Sequence, residues 1–353
     1  MSVELARPSI TSLRAYESAR SLSTEGRVFL DANESPVSPI ASLPTLNRYP
    51  EPQPRELVER LCGIYKVQKS ELMVGRGSDE AIDLIVRVFC ESGLDRILIC
   101  PPTYGMYEIS AKIQGAGIIR VPMKLDASPS LDLNGILSAI QEGVKVIFIC
   151  SPNNPTGTPF SKGSLIKILE ATLNRSIVVI DEAYAEFSKQ ESMLSEISRY
   201  PNLIVLRTLS KAWAIAGARC GVAIASPPLI ELLQKVRAPY PISLPALRAI
   251  LEGTTIDKQE LLQNRVLELL RERELMVAEL MKIPRVKYIF PSEANFLLVR
   301  FENSAPILTR MKQEGIILRD RSSEVKLEGC IRITLGTALE NRSVIAELKG
   351  VLS

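Results

Sequence analysis

Five polar side chains stand shortly after apolar stretches of the sequence, where buried strands are expected to end. Asn154 comes after VIFIC, Asp181 and Tyr184 after SIVVI, and Lys211 and Arg219 after NLIVLRT. Ligands of doubly wound α/β sheets bind beyond the carboxyl ends of the strands, so these side chains should meet in one crevice. No GxGxxG opens a helix in these units, and this set of side chains is unlike a dinucleotide site.

The lysine indicates covalent cofactor chemistry. Lys211 lies in an apolar neighbourhood with Trp213 two residues on, and burial lowers the pKa of a lysine so that it can act as an amine nucleophile. An aromatic aldehyde with a pyridine nitrogen and a phosphate would use the other groups. The carboxylate would keep the ring nitrogen protonated, the amide and the phenol would bind the ring hydroxyl, and Ser210 with the arginine would bind the phosphate. These residue types predict pyridoxal phosphate, which is held by a lysine Schiff base and an aspartate partner.

A glycine-rich turn supplies a candidate phosphate cradle. In the segment MVGRGSDEAIDLIV, Gly75 and Gly77 permit a tight turn, and we expect Ser78 or Asp79 to cap the helix that follows. The free N–H groups and the positive dipole end of a helix N-terminus suit a phosphate. Taken alone, such a segment is more often an ordinary strand–turn–helix connection; beside the other motifs it indicates the phosphate site.

Each candidate residue also has a purely structural interpretation. Asp181 could be a helix N-cap, NNPTG could be only a turn, and Lys211 could be an exposed loop lysine. The order of the motifs argues against these alternatives, because a polar group with its own chemical use follows each of several successive predicted strands.

The composition excludes several other kinds of protein. The chain has 353 residues, of which 46% are hydrophobic and 24% charged, as expected of a globular protein with about two domains. It carries 43 basic and 40 acidic residues, so its net charge is only +3, and the interspersed basic residues do not indicate a nucleic-acid binder. Histidine is absent, which excludes Ser-His-Asp and Cys-His catalysis and histidine-ligated metal sites.

The cysteines and the N-terminus predict a soluble, cytoplasmic protein. The six cysteines form no CxxC pair and no metal-ligand spacing, so we expect reduced, structural thiols and no bound metal. The first residues, MSVELARPSI, lack the apolar core of a signal peptide. No stretch reaches the ~18 apolar residues of a membrane span.

The elements that must position these groups alternate between helix and strand. Continuously apolar strands between amphipathic helices predict an α/β fold with a parallel sheet covered by helices on both faces. A proline-rich segment, APYPISLPA, then leads into a long helix from about Lys258 to Lys282 and an α+β pattern with several strands and two helices. We divide the chain into an N-terminal arm with the start of the small domain (1–40), a large cofactor-binding domain (41–240) and a small C-terminal domain (241–353).

Several motifs at matching spacing resemble the class I and II aminotransferases of the aspartate aminotransferase fold. The similarity runs nearly end to end and rests on LDANESP, NRYPEPQP, GRGSDEAIDL, CPPTYGMY, CSPNNPTG, DEAYAEF, RTLSKAWAIAGARCG, GIILRD and CIRITLGT. Within the family, the motifs are most similar to those of the enzymes that act on histidinol phosphate. The resemblance implies that the large domain contains a mostly parallel sheet of seven strands.

The resemblance also implies a role for each candidate residue. Lys211 would carry the cofactor and move the proton of the substrate's Cα, and Asp181 would pair with the ring nitrogen. The implied cofactor site consists of Gly77, Ser78, Asp79, Tyr104, Asn154, Asp181, Tyr184, Thr208, Ser210, Lys211 and Arg219, together with Tyr49, which would reach across the interface of a homodimer. The implied substrate site consists of Tyr16, Asn154, Arg319 and Arg332, with Arg332 on the substrate's anionic group.

A homodimeric transaminase is the function that the resemblance implies. It would exchange an amino group between L-histidinol phosphate and 2-oxoglutarate, giving imidazole-acetol phosphate and L-glutamate, by a ping-pong reaction in histidine biosynthesis. The alternatives are a threonine-phosphate decarboxylase, an aromatic amino acid aminotransferase, and a cofactor-binding regulator without turnover. Tyr16 and the Gly336–Thr337 pair favour the transaminase over the lyase, and the intact Lys–Asp–Tyr set argues against a regulator.

Overall fold

The computed structural model describes residues 2–22, 26–126 and 129–352. Within them the α-helices are α1 (Pro8–Thr11), α2 (Ala19–Leu22), α3 (Arg55–Tyr65), α4 (Ser78–Phe89), α5 (Met106–Gln114), α6 (Leu133–Ala139), α7 (Lys162–Ala171), α8 (Pro227–Val236), α9 (Leu244–Gly253), α10 (Ile256–Leu280), α11 (Ser304–Gln313) and α12 (Ala338–Leu352). The strands are β1 (Leu72–Gly75), β2 (Arg96–Ile99), β3 (Gly117–Arg120), β4 (Val144–Cys150), β5 (Ile177–Asp181), β6 (Leu203–Thr208), β7 (Gly221–Ala225), β8 (Val286–Ile289), β9 (Phe296–Phe301), β10 (Arg319–Asp320) and β11 (Cys330–Thr334).

Seven strands form the large sheet, in the order β1-β7-β6-β5-β4-β2-β3. Neighbouring strands from β6 to β3 pair in parallel, whereas β7 is antiparallel to both β1 and β6. Residues 209–220 join β6 to β7 without an α-helix, and a connection without a crossover helix brings the chain back in the opposite direction. The predicted mostly parallel sheet of seven strands is confirmed.

Helices cover both faces of this sheet. In β5, Val178 and Ile180 belong to the apolar cluster on one face, and Ile177 and Val179 belong to the cluster on the other. Side chains alternate between the faces of a strand, so a strand buried on both faces must be apolar at every position. The uninterrupted apolar runs of the sequence have this cause.

Two segments differ from their sequence-based expectations. The proline-rich segment before the long helix does more than turn the chain, because Ser243 accepts a hydrogen bond from the N–H of Ala246 and caps α9, whose Ile250 is fully buried. The predicted arm is partly anchored, since Leu5 is buried in the large-sheet core and Lys235 Nζ on α8 donates to the carbonyl of Thr11 at 2.9 Å. Between residues 26 and 54 the chain forms turns and extended segments, as its prolines predict.

The second sheet is antiparallel, with strand order β10-β11-β9-β8. Met276 of α10, Ile307 of α11 and Leu348 of α12 pack with its apolar residues. The long helix α10 lies close to the predicted range, and this unit has the predicted α+β character. The domain boundaries near residues 40 and 241 stay predictions.

In the described part of the chain, no helix is long and apolar enough to cross a membrane. The same residues include no group of three or more His, Cys, Asp or Glu that could hold a metal ion. The six cysteines are free thiols, and each is buried, as expected of small hydrophobic side chains.

Candidate active site

A pocket lies at the carboxyl ends of β4, β5 and β6, where the sequence predicts a crevice. The space within it, including the part open to solvent, is about 470 Å³. The lining includes eleven of the twelve predicted cofactor residues, namely Gly77, Ser78, Asp79, Tyr104, Asn154, Asp181, Tyr184, Thr208, Ser210, Lys211 and Arg219. Cys150 and Ala183 complete the lining, and Tyr49 lies outside it.

Asp181 is the buried carboxylate of this pocket. It ends β5, is 2% exposed, and accepts hydrogen bonds from Tyr107 Oη at 2.7 Å and from the N–H of Ala183 at 3.1 Å. Burial raises its pKa to about 6, and the two donors oppose that rise. Tyr107 was not among the predicted site residues; its place three residues after Tyr104 in the CPPTYGMY motif was the available signal.

Lys211 follows β6 and projects into the same pocket. Burial of the amine, followed by the positive charge of Arg332, lowers its pKa. The residue as a whole is exposed to solvent at the mouth of the pocket. Its Nζ lies 5.7 Å from the centre of the Tyr184 ring, and Trp213 two residues on is buried. The structure thus brings together the lysine, the carboxylate and the phenol.

The phosphate cradle has a different cap from the one predicted. Gly77, not Ser78 or Asp79, is the N-cap of α4, and it makes no side-chain capping bond because it has no side chain. Its φ of +83° is one that glycine adopts without strain. Among the residues that the structure describes, no side chain caps the N-terminal N–H groups of α4, which leaves them available to an anion.

Gly221 explains how two chain segments approach each other under the cradle. β1 pairs with β7 so that Gly75 lies opposite Gly221. A Cβ on Gly221 would lie 2.4 Å from the backbone nitrogen of Ser78 and 2.5 Å from the carbonyl carbon of Gly77. Only glycine at this position lets the turn close over the sheet, and sequence reasoning did not single it out.

Three side chains form the wall beside the cradle. Tyr104 Oη donates to Asp79 Oδ1 at 2.8 Å, and Arg219 Nη2 lies 3.4 Å from Asp79 Oδ2. Asp79 thereby orients both a ring and a cation at the mouth of the pocket. Arg219 occupies the left-handed region with φ of 55°, which turns its side chain back towards Gly77.

A second, basic part of the site adjoins the first. Asn154 Nδ2 donates to Tyr184 Oη at 3.3 Å, and its Oδ1 accepts a hydrogen bond from Arg332 Nη1 at 2.6 Å. Arg332 on β11 also lies over the ring of Phe296, with its guanidinium carbon 5.3 Å from the ring centre. Asn154 therefore connects the predicted cofactor and substrate groups, as its place in both predicted sets requires.

Two further arginines near Arg332, namely Arg319 and Arg321, differ in their surroundings. Arg319 lies opposite Arg332 in the β10–β11 ladder and is exposed. Arg321, which sequence reasoning missed, donates to Asn154 Oδ1 at 3.4 Å and pairs with Glu324 at 2.5 Å. Its two-residue spacing from Arg319 along an edge strand was the signal that could have found it.

Two predicted residues lie away from the pocket of their own chain. Tyr16 is 74% exposed, and Tyr49 is 50% exposed and stacks on Tyr240 with ring centres 4.5 Å apart. Neither lines the pocket.

The lining fits pyridoxal phosphate. The carboxylate of Asp181 accepts only two hydrogen bonds and has a raised pKa, so a protonated pyridine nitrogen would supply the charge compensation that it lacks. The uncapped N-terminus of α4 would receive the phosphate. Lys211, which lines the same pocket, would take the aldehyde.

Known proteins agree with this geometry. The family model for aminotransferases of class I and II matches residues 21–348. Histidinol-phosphate aminotransferase 1 of Pasteurella multocida (strain Pm70) is 46% identical over 349 residues, which are 98% of each chain. The histidinol-phosphate aminotransferase from Clostridium acetobutylicum superposes with a TM-score of 0.79 at 28% identity, over 87% of this chain and 91% of that one. The enzyme from Sinorhizobium meliloti in complex with pyridoxal 5'-phosphate shares the fold, with a TM-score of 0.77 at 24% identity over 98% and 96% of the two chains.

The chain belongs to the class I and II aminotransferases. It is a pyridoxal-phosphate-dependent transferase, and the predicted family and cofactor are both confirmed. Within that family its full-length similarity is to histidinol-phosphate aminotransferases.

Proposed function

We propose that this aminotransferase interconverts L-histidinol phosphate and 2-oxoglutarate with imidazole-acetol phosphate and L-glutamate in histidine biosynthesis. The observation that carries the proposal is the 46% identity, over 98% of both chains, with a histidinol-phosphate aminotransferase. The basic part of the site supports it chemically. Histidinol phosphate presents a phosphate and glutamate a carboxylate, and both must use one pocket in alternate half-reactions. The planar guanidinium fork of Arg332 accepts either oxyanion.

In this proposal the reaction is carried by Lys211, Asp181 and Tyr184. When bound, pyridoxal phosphate supplies an aldehyde for the amino group and a ring that accepts the electron pair released at the substrate's Cα. Asp181 holds the proton on the ring nitrogen through a charge-assisted hydrogen bond. Lys211, whose lowered pKa favours the neutral amine, takes the proton from Cα and returns it. Tyr184 and Asn154 would hold the ring oxygen, and Tyr104 would lie against the ring.

The proposed enzyme works as a homodimer with shared active sites in the cytoplasm. The segment 26–49 presents exposed apolar side chains, with Val28 62%, Leu30 89% and Val37 72% exposed, and a second copy of the chain would cover them. Tyr49, the last residue of this segment, is half exposed and would reach the partner's cofactor phosphate, and Tyr16 would complete the substrate pocket. Six buried free thiols suit a reducing compartment.

The substrate assignment is tested by single-turnover reactions of the purified holoenzyme, followed at the absorbance of the bound cofactor. Histidinol phosphate and glutamate should each convert the cofactor to its amino form, and phenylalanine should react much more slowly. Release of carbon dioxide from phosphothreonine would instead identify a decarboxylase. A fast reaction with phenylalanine and none with histidinol phosphate would identify an aromatic aminotransferase.

The shared site is tested by mixing two inactive homodimers. Tyr49→Ala and Lys211→Ala should each be impaired. If Tyr49 acts across the interface, a hybrid dimer contains one site free of both changes, so the mixture should exceed the activity of either parent. No gain after subunit exchange, verified by mass, would contradict a shared site.

A further inference from the structure

Arg321 stands on the same side of the small sheet as the two predicted substrate arginines. The N–H of Arg321 donates to the carbonyl of Cys330 at 3.0 Å, which continues the pairing of β10 with β11 by one residue. Side chains two residues apart on a strand point to the same face. Arg319, Arg321 and, across the ladder, Arg332 therefore share one face, and Arg321 and Arg332 both donate to Asn154 Oδ1.

The charges of this cluster do not balance. Among the ion pairs of the described residues, Arg321 has Glu324 as its carboxylate partner, whereas neither Arg319 nor Arg332 has one. Burial, then the charge of Arg321, lowers the pKa of Arg332. Three guanidinium groups with one carboxylate leave an excess of two positive charges beside the pocket, which favours an anionic ligand.

Unused donors lie in the same cluster. Within the described parts of the chain, Arg321 Nε and Arg332 Nε are buried and have no hydrogen-bond partner. A buried donor without a partner destabilises the protein until a ligand satisfies it. Arg332 is a predicted substrate residue. Since Arg321 Nε is an unused donor in the same cluster, we include Arg321 in the same candidate anion site.

We propose that Arg321 is a third cation of the substrate's anion site and that it raises the preference of the site for a phosphate dianion over a carboxylate. The inference rests on the proposed function and deepens it. A carboxylate spreads one charge over two oxygens, which one guanidinium fork can satisfy. A phosphate dianion carries nearly two charges on three oxygens, so it gains more from an additional guanidinium.

The test compares the two half-reactions in Arg321→Gln and Arg321→Lys holoenzymes. In Arg321→Gln, kcat/KM for histidinol phosphate should fall about ten-fold or more, mainly through KM, and that for glutamate by less than about three-fold. Arg321→Lys should recover part of the loss, because it restores the charge without the fork. The inhibition constant of inorganic phosphate against glutamate should rise in parallel. The matched control is Arg310→Gln, which removes an exposed arginine paired with Glu314 on α11.

Glu324→Gln distinguishes an electrostatic role of Arg321 at the substrate's phosphate from a structural role in which Arg321 only holds the loop. It keeps an oxygen for Arg321 but removes the neutralising charge, so KM for histidinol phosphate should fall. A rise like that of Arg321→Gln would show that the ion pair acts through loop structure and would overturn the proposal. The loss in Arg321→Gln should also be larger at pH 8 than at pH 5.5, because alkyl phosphates lose their second proton near about pH 6.

The two proposals fail in different ways. A wild-type enzyme that reacts with glutamate but not with histidinol phosphate contradicts the proposed function. If the wild-type enzyme reacts with both substrates and Arg321→Gln lowers kcat/KM equally for both, only the proposed role of Arg321 is contradicted.

Discussion

Replacing Tyr107 with phenylalanine removes one of the two hydrogen bonds that the carboxylate of Asp181 accepts. The Tyr107 hydroxyl donates to it at 2.7 Å, while the ring stacks on Phe148 with centres 4.8 Å apart, so phenylalanine keeps the packing. A hydrogen bond to a charged group contributes about 1.5–3 kcal/mol, and 1.36 kcal/mol corresponds to a tenfold change in an ionisation constant. Without cofactor, the pKa of Asp181 should therefore rise from about 6 to about 7–8.

The effect of Tyr107→Phe on the free energy of unfolding is confined to a defined pH range. Asp181 has a higher pKa in the folded chain than its unfolded value of about 3.9, so its contribution to stability is fully present below that value and is lost as the pH rises through about 6. In Tyr107→Phe the loss extends further because the pKa is higher. At pH 5 the carboxyl is largely protonated in both proteins. At pH 8 the variant should lose about a further 1–2 kcal/mol of unfolding free energy relative to wild type.

Urea unfolding of the cofactor-free proteins at pH 5 and pH 8 measures this difference. Tyr200→Phe is the control, because it also removes a hydroxyl that donates to a carboxylate, that of the half-exposed Glu170 at 3.1 Å. Turnover of the Tyr107→Phe holoenzyme should fall about ten-fold, since the ring proton is held less firmly. An equal loss of stability at both pH values together with normal turnover would refute the reasoning.

Three further perturbations address the lysine, the arginines and the cradle. Lys211→Ala should still bind the cofactor but lose several orders of magnitude in turnover, and borohydride reduction of the wild type should label Lys211; a label on another lysine would contradict the assignment. Arg332→Ala should slow both half-reactions by about two to three orders of magnitude, whereas Arg319→Ala should slow the reaction with histidinol phosphate more than the reaction with glutamate. Single-turnover rates measure these losses, and equal losses for the two substrates in Arg319→Ala would contradict the proposed difference between the two arginines. Gly221→Ala should weaken cofactor binding and lower the free energy of unfolding in urea by about 1–3 kcal/mol. Gly217→Ala, whose Cβ would meet nothing within 4 Å, should do neither, and equal effects of the two variants would show that the contact under the cradle is unimportant.

The sequence by itself predicted the sheet and most of the pocket. The apolar runs that end at Cys150, Asp181 and Thr208 had to be buried strands, and parallel strands place their carboxyl ends at one edge of the sheet. Polar residues that follow such runs therefore meet regardless of the details of packing. This local rule is why six of the predicted cofactor residues line one pocket, namely Asn154, Asp181, Tyr184, Ser210, Lys211 and Arg219. The glycine-rich turn added Gly77, Ser78 and Asp79 to the prediction, and the resemblance to the aminotransferases added Tyr104 and Thr208.

Only the tertiary structure decided the groups that support the site from behind or from a distant part of the chain. Tyr107 is a helix residue whose hydroxyl reaches Asp181 because α5 packs on the sheet with the Tyr107 ring stacked on Phe148 of β4, and Gly221 matters because β7 runs antiparallel beside β1. Arg321 meets Asn154 across 167 positions of the chain. Such contacts depend on how separate elements pack, and packing follows from the shapes of whole surfaces. The spacing of Tyr107 from Tyr104 and of Arg321 from Arg319 places them near predicted site residues, but it does not record which distant side chains they meet.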